Sequence, residues 1–158
     1  MNDKALRDHL LNLLRGGNAH MTLEEAIKNY PAAKINDIFP NGEYSSWHLL
    51  EHIRRTQNDI LEFIINSKYV YLEWPKDYWP ARNKKATQKE WDKTIASFRK
   101  DTKALEKIVA NPKTDLYAKI PWGEEHTILR EILLVADHNV YHIGEFAIMR
   151  QVMSTWDR

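Results

Sequence analysis

The chain has 158 residues, 43% of them hydrophobic and 28% charged, and a formal net charge of +1. This is the length of one domain, read here as residues 1–158, and the composition excludes wholesale disorder, collagen-like sequence and a fibrous repeat. With 23 Lys and Arg against 22 Asp and Glu there is no global basic field for a nucleic acid or an anionic membrane, and 0 Cys excludes a disulfide scaffold, a thiolate zinc site and a cysteine nucleophile.

The N-terminal stretch reads as an amphipathic helix from about Asp3 to Arg15, stopped by Gly16-Gly17, and not as a signal peptide. Thr22 and Glu25 form a capping box for a short helix that runs to Tyr30 before Pro31, and Ala32 to Tyr44 reads as loop. A long helix opens at Ser45 or Ser46 and reaches about Ser67; Leu49, Ile53, Ile60 and Ile64 form its stripe, with Gln57 filling the gap. A second capping box, Thr87 with Glu90, starts a helix that continues to about Ala110. The last helix runs from Thr127 to about Met153, with a stripe that includes Ile128, Ile132, Val135, Ala136, Ile143, Phe146, Ala147 and Arg150.

The connection from Lys68 to Ala86 is long and carries Tyr69, Tyr71, Trp74, Tyr78 and Trp79. Antiparallel neighbours in bundles need only about 2–8 residues between them, so this length suits a crossover between parallel helices. The expected architecture is all-α, a four-helix bundle with one crossover strap. The longest clean apolar run, Ile132 to Ala136, is far short of a membrane span, and with the lack of Cys this leads us to expect a soluble cytoplasmic protein.

Four of the 7 His fall into two pairs at i,i+4, His48 with His52 and His138 with His142. Residues four apart share a helix face, and two imidazoles so placed can converge on one ion at about 2.0–2.1 Å. Two ligands hold an ion weakly; a third from a facing helix completes a usable site with positions left open. By helix phase His52, His138 and His142 lie on the flanks of their apolar stripes, where a ligand-accessible site or a solvated histidine would equally sit. A lone helical histidine is ordinarily a surface or hydrogen-bonded residue. The zinc-protease signature is absent, because Asn139 follows His138 where a glutamate is required.

The segment Asp137-His138-Asn139-Val140-Tyr141-His142-Ile143-Gly144-Glu145 resembles the D-H-x-x-Y-H-x-G-Q signature of the DinB superfamily, and Trp47-His48-Leu49-Leu50-Glu51-His52-Ile53 is similar to that family's first histidine motif. Trp74-Pro75, Tyr78-Trp79-Pro80 and Trp91 resemble one branch of it. The resemblance implies an up-down-down-up bundle with the crossover between its second and third helices. It implies a divalent ion (Zn, Ni or Fe) on His52, His138 and His142, and a homodimer. It further implies a small-molecule substrate and, as in some DinB-like proteins, transfer of bacillithiol, mycothiol or glutathione to a small electrophile. A non-catalytic metal-binding or stress-response bundle and a metal-dependent hydrolase are the alternatives.

Glu145 replaces the family's usual Gln and reads either as an acceptor orienting a ligand imidazole or, preferred, as solvated. His48 reads as a fourth ligand, a proton shuttle or, preferred, a surface residue. His48 and Tyr141 are the candidate catalytic proton handlers. Gly144 is expected to permit close helix approach, and the aromatic strap to serve packing more than recognition. Arg54-Arg55, Lys84-Lys85 and Arg99-Lys100 are short basic patches without aromatic platforms, so no nucleic-acid partner is expected.

Overall fold

The computed structural model describes residues 3–156 and is all-α: among them are five helices and no strand beyond two isolated bridges. Helix α1 spans Lys4–Arg15, α2 Leu23–Ile27, α3 Ser46–Ile65, α4 Gln88–Ala110 and α5 Ile128–Val152. Both capping boxes read from the sequence are present, at Thr22/Glu25 and Thr87/Glu90. Helix α2 stops at Ile27, short of Tyr30, because Asn29 adopts φ 51°, and Ala32–Lys34 in the expected loop form one 3₁₀ turn. Gly16, at φ 74°, closes α1 in a conformation that a side chain would strain.

Side-chain pairings fix the direction of each long helix. Going along α3, Glu51 meets Thr94, Gln57 meets Phe98 and Thr102, and Asn58 meets Asp101, so α3 and α4 run parallel. Against α5, His52 meets His142, Gln57 meets Asn139 and Phe63 meets Trp122 just before the helix begins, so that pair is antiparallel. Helix α1 opposes α4: Arg15 reaches Glu106, while Arg7 donates to the carbonyls of Val109, Asn111 and Thr114 at the end of α4. A buried guanidinium on those terminal carbonyls satisfies groups that the helix cannot and complements the dipole.

The core divides in two. One half gathers Leu49, Leu50 and Ile53 of α3 with Trp91, Phe98, Phe146 and Met149; the other gathers Ile60, Leu61 and Ile64 with Leu10, Leu105, Ile132 and Val135. Between them lies a buried polar layer. Gln57 Nε2 donates to Phe98 O (2.9 Å) and Thr102 Oγ1 (3.1 Å), and Asn139 Nδ2 donates to Gln57 Oε1 (2.9 Å). This explains the gap that Gln57 leaves in its stripe: mutual hydrogen bonding makes burial of the amides tolerable. Arg150, also in an apolar stripe, is fully buried and donates to the carbonyls of Ala26 and Lys28, tying α5 to the end of α2.

The crossover, residues 66–87, is anchored on α3. Tyr69 and Tyr78 both donate to Asp59 (2.8 and 2.7 Å), and Arg55 donates to the carbonyls of Asp77 and Trp79. These bonds lay the strap across the end of the bundle where the histidines converge. No helix among the described residues is long and apolar enough to cross a membrane.

Candidate metal centre

Helix α3 contributes His52 from its second turn, and α5 contributes His138 and His142 one turn apart on the face opposite. His52 Nε2 lies 3.2 Å from His142 Nε2 and 3.2 Å from His138 Nε2, and one ligand atom from each ring falls within 4.8 Å of the others. Two nitrogens bound tetrahedrally at about 2.0–2.1 Å sit roughly 3.3 Å apart, the spacing found here.

Protonation makes the spacing informative. His52 Nδ1 faces the carbonyl of Tyr78 (3.1 Å) and His142 Nδ1 faces Glu145 Oε2 (2.7 Å), so in the neutral rings each Nδ1 carries the proton and donates. Each Nε2 is then a bare lone pair. A proton on His138 Nε2 would satisfy its own contact with His52, yet the contact between His52 and His142 stays lone pair against lone pair. Such an arrangement could hold a cation between the rings. Burial pushes the His138 imidazole down to about 4 and His142 to about 3, with the other cluster histidines adding to the effect, and burial lowers His52 as well. All three rings are therefore neutral at pH 7, the form in which imidazole can hold a metal ion. His138 Nδ1 is buried without a hydrogen-bond partner.

The surroundings are aromatic. Trp79 stacks on His52, with centroids 3.9 Å apart and planes within 8°, and Trp74 stands edge-on to the same ring at 6.2 Å. His52 is 2% exposed, whereas Trp74 is 66% exposed at the rim. Tyr141 lies edge-on against His142 at 4.8 Å.

Several expectations need correction. Glu145 is not merely solvated: it accepts the His142 Nδ1–H, the arrangement that fixes tautomer and ring orientation in histidine metal sites. Burial raises its carboxyl above the usual range. His48 is buried, not on the surface, and both its ring nitrogens are occupied. Nδ1 accepts from the Ser45 backbone N–H at 3.3 Å, completing a third capping box, and from Ser45 Oγ at 2.7 Å, while Nε2 donates to Ala81 O at 3.1 Å. It anchors the strap and does not face the cluster. A Cβ on Gly144 would meet nothing within 4 Å, so this glycine serves no close helix approach.

A sequence profile of the DinB superfamily matches residues 6–146. The chain belongs to the DinB superfamily. No curated protein and no solved structure matches it. Membership agrees with the all-α fold and with a three-histidine cluster compatible with metal binding; in this DinB chain the cluster is completed by a carboxylate on one ligand and a tryptophan stacked on another.

Proposed function

We propose that this DinB-superfamily protein binds one divalent cation on His52, His138 and His142 and serves as a metal-dependent transferase of small thiols to electrophiles. The observation that carries the metal reading is the approach of two lone pairs at 3.2 Å, each fixed by a hydrogen bond on the far side of its ring. Imidazole nitrogen suits Zn, Ni and Fe alike, so availability selects among them. An ion held there supplies Lewis acidity that eases loss of a proton from a thiol or water at an open position.

The chain's own residues define the rest. With no cysteine in the sequence, the sulfur comes from a diffusible low-molecular-weight thiol. In the transfer a sulfur–carbon bond forms, the bond to the leaving group breaks, and the thiol proton passes to solvent. Trp79 closes one side of His52 against water, and the exposed Trp74 offers an apolar face at the rim for the electrophile. Tyr141, 70% exposed against His142, is the proton handler in this reading; His48 has no free nitrogen for that role.

Two measurements test the proposal. Elemental analysis of protein purified without a histidine tag is expected to give one ion per chain, with strong loss in His138→Ala; full retention in that variant overturns the ligand set. Turnover of chlorodinitrobenzene or bimane is then compared between metal-loaded and chelated protein, with bacillithiol, mycothiol and glutathione in turn. Equal rates in both preparations reject the transferase and leave the non-catalytic metal-binding bundle, and metal-dependent hydrolysis without thiol identifies a hydrolase.

A further inference from the structure

A second cleft, of about 480 Å³, opens between α3, the first turns of α4 and the far side of the strap. It is walled by Trp47 and Pro80 and shares no residue with the histidine cluster. Two of the short basic patches noted in the sequence meet here, Arg54-Arg55 from α3 and Lys84 from the strap, joined by Lys93 of α4. Against these four cations stand two carboxylates, Glu51 and Glu90.

Both carboxylates are already engaged. Glu51 accepts from Arg54 Nη2 (2.7 Å) and Arg55 Nε (3.0 Å) on one oxygen, and from Arg54 Nε (2.9 Å) and Thr94 Oγ1 (2.8 Å) on the other. Burial opposes its ionisation, yet the two guanidiniums hold its carboxyl below the usual range. Glu90 closes the α4 capping box and pairs with Lys84, bonds that hold its carboxyl down at about 2. Acceptors are thus used up while donors remain. Lys93 has no carboxylate partner among the described residues, and the indole Nε1–H of Trp47, a residue only 5% exposed, is buried with no acceptor. A cleft of ligand size whose lining carries more cations than carboxylates, with Lys93 left unpaired among the described residues, is complementary to an oxyanion.

We infer that this cleft binds a small oxyanion, carboxylate or phosphate, between Lys93, the arginine pair and the Trp47 wall. This inference is independent of the metal reading and would survive its failure. It is tested on metal-free full-length protein, freed of chelator, by titrating inorganic phosphate and citrate separately at constant ionic strength, with chloride as control. Saturable binding of at least one is expected by calorimetry, the stronger ligand telling phosphate from carboxylate. The Trp47 indole N–H resonance, identified by its absence in Trp47→Phe, is expected to shift on saturation. Lys93 is exposed and outside the core, so Lys93→Glu should fold normally by circular dichroism while weakening binding about tenfold or more. No saturable binding, unchanged affinity in Lys93→Glu, or an unmoved Trp47 signal each overturns the inference.

Discussion

Glu145 offers the sharpest quantitative test of the centre. Its Oε2 lies 2.7 Å from His142 Nδ1, a bond that keeps the ring's lone pair on the cluster side. Glu145→Gln can still accept that proton through its amide oxygen but removes the charge. Hydrogen bonds to charged partners contribute about 1.5–3 kcal/mol against about 0.5–1.5 for neutral ones, a difference of roughly 1 kcal/mol. At about 1.4 kcal/mol per tenfold, metal affinity should fall about fivefold. Glu145→Ala removes the acceptor and frees the ring to rotate, and loss of such a supporting partner costs about 10–100-fold. Competition titration against a chromophoric chelator reads both variants, and the graded order, parent tighter than Gln, Gln tighter than Ala, is the signature. An alanine variant within twofold of the parent would refute the reasoning, since His142 would then be oriented without Glu145.

Three further outcomes follow from the packing and protonation. His138 and His142 have folded pKa values depressed from 6.5 to about 4 and about 3, so the unfolded chain binds more protons across that interval. Metal-free stability should therefore be complete above about pH 6.5 and drain as pH falls towards 4; equal urea midpoints at pH 7.5 and 5.5 would contradict it. Phe146 is fully buried beside Tyr30 and Trp91, and Phe146→Ala should cost about 3–5 kcal/mol in urea unfolding, with a loss under 1 kcal/mol arguing against the packing described. Ile148 and Val152, exposed one turn apart near the end of α5, mark the face on which a homodimer would form. Sedimentation should show a dimer that Ile148→Glu dissociates, whereas an 18.7 kDa species alone at micromolar concentration would exclude it.

Legibility from sequence tracked how local each signal was. The Thr22/Glu25 and Thr87/Glu90 boxes depend on residues three apart, and both were readable. The Ser45/His48 box was not, because a histidine at the third position carries no capping signal and reads as a chemical candidate instead. His138 and His142 declared themselves by spacing, but His52 joined them only through the family resemblance, since nothing local says which α3 histidine faces α5. Glu145 was misread because a carboxylate three residues after a histidine meets it or meets water according to rotamer. The stacking of Trp79 on His52 depends on where a long crossover lands, which no periodicity encodes.

The parallel course of α3 and α4 makes residues 66–87 an obligatory return path, and Tyr78 O on that path fixes the tautomer of His52. The centre is therefore incomplete until the return segment has docked, although two of its ligands already sit on one helix. An ion that prefers the docked arrangement must, by linkage, suppress detachment of the segment. Amide exchange at Tyr78 and Trp79, whose N–H groups both bond Pro75 O, then becomes a gauge of occupancy: slow with the site filled, quickened when it is emptied, with the bundle interior unaffected in both.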